Sequence, residues 1–175
     1  MSSEAAVIRH IRRSERRLFG KYRGTAREFG TGSQLGMIQA YVPSVYGEKV
    51  LSPWALPVVP FAGDQHGVLF LPKQDDGVWI EFEGGERDKP IWTGGYWAKS
   101  DGKPKGASPD VRVIVSPNGH RVVLDDKDDK LLLEHASGPH IEIAKDSITL
   151  EVDGQHRIVI DKQGVHINGT GLEVV

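Results

Sequence analysis

From Tyr22 onward the chain alternates apolar and polar residues with a period of two, the pattern of strands that bury one face. Tyr22-Arg23-Gly24-Thr25-Ala26 alternates, and so does Met37-Ile38-Gln39-Ala40-Tyr41-Val42. Val68-Leu69-Phe70-Leu71 and Val78-Trp79-Ile80-Glu81-Phe82 add two further predicted strands. Pro43, Pro53, Pro57, Pro60, Pro72 and Pro90, with glycine pairs such as Gly84-Gly85, punctuate these runs as edges and turns. Five or so short strands between residues 21 and 98 predict a small closed barrel of the OB type.

Beyond residue 110 the alternation becomes a repeat. Gly119-His-Arg-Val122-Val-Leu124 matches Gly138-Pro-His-Ile141-Glu-Ile143, and both match Gly154-Gln-His-Arg-Ile158-Val-Ile160 with one residue added. A polar turn follows each, then a second pair: Leu131 and Leu133, Ile148 and Leu150, Val165 and Ile167. The spacing from Gly119 to Gly138 is 19 residues and from there to Gly154 is 16. A repeat of two-strand units indicates a stacked β architecture.

Two segments break the pattern. Before residue 21, Val7, Ile8 and Ile11 sit one helical turn apart, opposite Arg9, Arg12, Arg13 and Arg16. The apolar face is too narrow for stable membrane insertion, so the segment reads as an arm that docks on a neighbouring subunit. Between the barrel and the repeat, residues 99–110 are rich in Lys, Gly, Pro and Ser and read as a linker. The chain thus divides into a basic arm (1–20), an OB barrel (21–98), a linker (99–110) and a β-helical needle (111–175).

The repeat alone explains why the needle is expected to be trimeric. A three-sided rung wound from one chain consumes about three strands, so the eight candidate strands from Val111 to Val174 supply fewer than three rungs. Three chains around one axis remove the shortage. Val122, Leu124, Leu131, Leu133, Ile141, Ile143, Ile148, Leu150, Ile158, Ile160, Val165 and Ile167 then face inward and meet their copies, and strand edges pair with neighbouring chains. Each such side chain contributes about 1.5–3 kcal/mol when buried. The expected fold is all-β: arm, OB-type barrel, then a triple-stranded intertwined β-helix in a homotrimer.

Composition narrows the function. The chain has 175 residues, no cysteine and a net charge of −2. Disulfide frameworks and thiolate metal sites are excluded, and a reducing cytoplasm is the expected place of synthesis. Residues 1–23 carry seven Lys/Arg against two Asp/Glu, whereas residues 24–98 carry five against nine and residues 99–175 ten against thirteen. An acidic barrel argues against single-stranded nucleic acid in an OB groove, because phosphate neutralisation dominates such affinity. Trp54, Trp79, Trp92, Trp97, Tyr22 and Tyr41 are therefore assigned to packing and interfaces.

Candidate chemistry is sparse. No Gly-x-Ser-x-Gly, Walker A loop or His-Glu-x-x-His occurs, so no catalytic residue and no cofactor is assigned. His120, His135, His140, His156 and His166 lie in the repeat beside inward positions or at turns, and read as solvent-facing. Asp64-Gln-His66 lacks a third ligand. Asp125-Asp126 and Asp128-Asp129 around Lys127 read as a polar turn, with calcium the alternative. Asn168-Gly-Thr170 is a formal glycosylation sequon without meaning in a cytosolic product.

These motifs carry a family resemblance. Leu35-Gly36 leads into Val42-Pro-Ser-Val-Tyr-Gly47, followed by Trp54-Ala-Leu-Pro-Val-Val-Pro60. Gly77-Val-Trp-Ile-Glu-Phe-Glu-Gly-Gly85 and Asp88-Lys-Pro-Ile-Trp-Thr-Gly94 follow in order. Residues 22–97 thereby resemble the phage baseplate assembly protein V family, the contractile-tail spikes whose OB domain is shared with type VI secretion VgrG proteins. Ser116-Pro-Asn-Gly-His-Arg-Val-Val-Leu-Asp-Asp126 is similar to the entry into the family's triple-stranded β-helix.

The resemblance implies a structural spike on the tail axis, in a virion or injection-particle baseplate assembled in the bacterial cytoplasm. A hub protein is the implied partner of the arm, through Val7, Ile8, Ile11, Arg12 and Arg16. A PAAR-type tip protein is implied at the far end, docking on Leu172, Glu173, Val174 and Val175, and the target-cell envelope is met during puncture. Some relatives insert a muramidase domain between barrel and helix, for which residues 99–110 leave no room. Others bind iron through a His-x-His tip. The nearest stretch here is His166-Ile167-Asn168, and alternation turns His166 outward, so no metal is assigned and His166 stands as the single candidate ligand. The competing reading is an OB-fold nucleic-acid-binding module trimerised by its C-terminal tail.

Overall fold

The computed structural model describes residues 17–99, 102–169 and, as backbone, 172–174. These form two compact units that divide after Ser100. The basic arm with Val7, Ile8, Ile11, Arg12 and Arg16 lies outside the described residues, as does Val175.

The first unit is a small barrel. Strands β1 (Tyr22–Phe29) and β2 (Ile38–Tyr41) pair antiparallel, and the far side of β1 pairs antiparallel with β6 (Gly77–Phe82). Strand β6 in turn pairs with β7 (Pro90–Tyr96), which takes the short β3 (Leu56–Pro57) in parallel. Closure comes from Ile38 and Ala55, which exchange backbone hydrogen bonds of 3.2 and 2.8 Å. The free edge of β2 is thereby joined to the chain entering β3, as an OB-type barrel requires. A helical turn (Pro43–Tyr46) follows β2, with proline in its first turn where no N–H is needed.

Alternation along β1, β2 and β6 turns one residue in two inward. Ala26, Ile38, Ala40, Val42, Ala55, Val78 and Ile80 are fully buried, with Phe82 and Trp92 close behind. The Trp92 indole N–H donates to the Gly36 carbonyl at 2.9 Å, so the buried ring leaves no donor unpaired. Ser52, buried among these, accepts the Ala40 N–H at 3.0 Å and donates to the Pro53 carbonyl at 2.7 Å.

One predicted strand is absent. Val68-Leu69-Phe70-Leu71 follows a two-residue hairpin of β4 (Ala62–Gly63) and β5 (His66–Gly67) in irregular structure. Leu69 and Phe70 are exposed and only Leu71 packs against the core, so the run has no sheet edge to join.

The second unit is a meander of eight strands, each hydrogen-bonded to its sequence neighbours. They are β8 (Val111–Val115), β9 (Arg121–Asp125), β10 (Lys130–Glu134), β11 (His140–Ala144), β12 (Ser147–Glu151), β13 (Arg157–Asp161), β14 (Val165–Ile167) and β15 (Leu172–Val174). Strand stacking at about 4.8 Å makes the sheet roughly 35 Å from first strand to last. Turns of only a few residues return each strand beside its predecessor within the one chain. The preceding linker is partly tied down: Ser108 and Val111 exchange backbone hydrogen bonds of 3.1 Å, and Asp126 N–H donates to Asp110 at 3.0 Å. No helix among the described residues is long and apolar enough to cross a membrane.

Candidate functional site, an apolar sheet face

The register of the meander aligns its apolar residues into columns. One column runs Ile114, Val122, Leu133, Ile141, Leu150, Ile158, Ile167, and Leu172 continues its register. The next runs Arg112, Leu124, Leu131, Ile143, Ile148, Ile160, Val165, with Val174 in the same register. Every residue assigned to the trimer core falls in these two columns, on one face. Within a single chain that face has no cover: Leu133 is 55% exposed, Leu131 48% and Ile143 43%. A contiguous apolar surface of this extent marks an interface.

The turns are built by side chains that replace missing backbone partners. Asp125 accepts the N–H groups of Lys127 and Asp128, Asp153 those of Gln155 and His156, and Asp161 those of Gln163 and Gly164. Gly119 and Gly138 take positive φ at matched turns of the repeat. The His156 ring hydrogen-bonds Asp153, and that bond, aided by the two backbone donors, holds the Asp153 carboxyl below its ordinary range. The Gln163 N–H is the main cause of the same shift at Asp161, with His166 at 3.3 Å adding to it.

The opposite face is mixed. Val123 is buried there, but Glu142, Thr149 and His166 follow in the same column. Beside them Arg121, Glu134, His140, Glu151 and Arg157 stand opposite one another strand by strand, a ladder with an arginine at each end and a histidine between two glutamates at its centre. Arg121 bonds Glu134 at 3.4 Å and Lys130 pairs with Glu142 at 3.6 Å. Alternation places His166 on this face, away from Val165 and Ile167, half-buried against Asp161. Asp64 touches His66 only through its backbone carbonyl. Asp126 is engaged by Arg112. Among the described residues no group of three or more His, Cys, Asp or Glu is placed to hold a metal ion.

Four of the barrel's outer aromatics, Trp79, Tyr96, Tyr41 and Tyr46, carry an arginine against the ring. The Arg23 guanidinium lies 5.6 Å from the Trp79 ring and 5.4 Å from Tyr96, Arg27 lies 5.0 Å from Tyr41, and Arg87 5.0 Å from Tyr46. Base stacking needs open ring faces, and these arginines occupy one face of each ring. Sequence reasoning missed this stacking because Arg23 and Trp79 meet only through the pairing of β1 with β6.

Two family models match the chain. Residues 22–97 match the type VI secretion system/phage-baseplate injector OB domain, and residues 112–173 match the phage baseplate V C-terminal trimerisation domain. No curated protein matches the chain in sequence. Both families are structural baseplate domains rather than enzymes. The trimerisation domain coincides with the apolar meander, and the OB domain with the closed barrel. The chain therefore belongs to the phage baseplate V family of baseplate spikes, an injector OB domain followed by a homotrimerising β shaft.

Proposed function

We propose that three copies form the central spike of a contractile tail or injection-system baseplate, assembled in the bacterial cytoplasm. The spike punctures an envelope mechanically and joins a hub protein to a separate tip protein. The observation that carries this reading is the two-column apolar face, continuous over the meander and uncovered in one chain. Three such faces closed on one axis make a rod that resists splaying, which transmits axial force without any chemistry of its own. The arm, through Val7, Ile8, Ile11, Arg12 and Arg16, is the proposed hub contact. The strand β15 is the proposed tip contact, because among the described residues its outer edge pairs with no other strand and remains open to β-augmentation.

The test is co-purification with the hub and tip proteins encoded beside it. The full chain should capture both. Deleting Leu172–Val175 should leave a trimer by light scattering, keep the hub and lose the tip. A deletion variant that still captures the tip would overturn the proposed docking end.

A further inference from the structure

The two edges of the meander carry different chemistry. Turns 116–120, 135–139 and 152–156 lie on one edge, which holds His120, His135, His140 and His156. Turns 126–129, 145–146 and 162–164 lie on the other, where Asp125, Asp126, Asp128, Asp129, Asp146 and Asp161 outnumber Lys127, Lys130, Lys145 and Lys162. A groove of about 620 Å³ runs along the histidine edge, floored by Leu133, Ile141, Leu150 and Ile158 and rimmed by His135 and His156. The column nearer the aspartate edge carries Leu131, Ile143, Ile148 and Ile160.

Three identical copies that close by rotation make head-to-tail contacts, so like edges cannot meet. Resting on the trimeric reading of this domain, we propose that each seam of the shaft seats the aspartate edge of one copy on the histidine edge of the next. Leu131, Ile143, Ile148 and Ile160 of the second copy fill the groove, and its carboxylates lie opposite the histidines. The occupant is a second copy because the groove is continuous with the trimerisation face and because the two edges carry opposite net charge once the histidines are protonated.

That complementarity depends on pH. On the histidine edge, Arg121 and Arg157 stand against Glu134, Glu151 and Asp153, a deficit of one positive charge while the histidines are neutral. On the other edge seven Asp, Asp110 included, stand against four Lys and Arg112, a deficit of two, with Arg112 bonded to Asp126. Locally, His120 packs against His135 with the rings tilted and their centroids 4.4 Å apart and accepts the Ala136 N–H, His135 contacts Ser137, His140 stands between Glu134 and Glu151, and His156 sits on Asp153. Protonation of the four histidines reverses the sign of their edge and turns a like-signed seam into an attractive one.

The absence of cysteine makes the seam measurable by paired substitutions. Ser137→Cys is combined with Asp128→Cys or with Asp146→Cys, and each trimeric variant is treated with a short bismaleimide and run on a denaturing gel. At least one double variant should give covalent trimers and each single variant only monomers. Covalent dimers from Ser137→Cys alone, or monomers from both doubles, would overturn the seam. Light scattering before the reaction reports trimerisation separately, so a failed trimer is not mistaken for a failed seam. In the unmodified protein the trimer's dissociation concentration should fall on going from about pH 8 to about pH 5.5, where histidine is protonated and Asp is not. The change should shrink in a His135→Gln/His156→Gln variant, and a trimer that weakens on acidification would refute the proposal.

Discussion

At the scale of single residues, Tyr46 shows how the barrel holds its outer wall. Its ring meets Phe82 edge-on at 6.2 Å, its hydroxyl donates to the Arg87 carbonyl at 2.5 Å, and Arg87 donates back to the Val45 carbonyl at 2.6 Å. Burial pushes the phenol up to about 12, only partly countered by the Arg87 charge. A phenol whose folded value exceeds its unfolded value of 10.0 contributes stability that is complete below pH 10 and lost as pH rises toward 12. Tyr46→Phe removes one hydrogen bond and should cost about 1 kcal/mol at neutral pH. It should also flatten the decline of barrel stability between pH 10 and 12. All four tryptophans precede residue 100, so tryptophan fluorescence during denaturant unfolding follows the barrel alone. An unchanged alkaline profile would show that Tyr46 is not the titrating group.

At the scale of strands, the face that looks inward in the trimer is set by alternation. Ile143 stands between Leu131 and Ile148 in an apolar column, whereas Thr149 stands on the other face between Glu142 and Val159. Ile143→Asp places a carboxylate where three copies converge, and burial and like-charge repulsion both oppose it. The variant should lose trimer entirely by light scattering. Thr149→Lys, beside Glu142, should change stability by less than about 0.5 kcal/mol. Glu142→Lys is a poorer control, because Glu142 already pairs with Lys130. Equal effects at Ile143 and Thr149 would mean that the register is inverted. The same alternation made these columns legible in the sequence, since one isoleucine or leucine at every second position needs no knowledge of partners. Val68–Leu71 misled because a continuous apolar run reads as a buried strand whether or not an edge awaits it. β7 was harder to see, because Thr93-Gly94-Gly95 breaks the pattern and only pairing with β6 extends it. The opposed chemistry of the two sheet edges became visible only once the direction of each strand was known.

At the scale of the whole molecule, the two units solve the burial problem in different ways. The barrel closes on itself and buries Ala26, Ile38, Ala40, Val42, Val78 and Ile80 completely within one chain. The meander alone leaves most residues of its apolar columns 37–55% exposed, so its stability depends on association and hence on concentration. Heating at several protein concentrations should therefore separate them. The midpoint reported by tryptophan fluorescence, which follows the barrel, should stay constant. The midpoint of the β-sheet signal after subtraction of the barrel's share should rise with concentration, as for any folding coupled to assembly. Light scattering below both midpoints should report about three times the 19.3 kDa chain. Ile143→Asp should abolish the concentration-dependent transition and leave the fluorescence transition in place. A particle of one chain's mass with its full β signal, or two midpoints equally indifferent to concentration, would show that the meander folds without its copies.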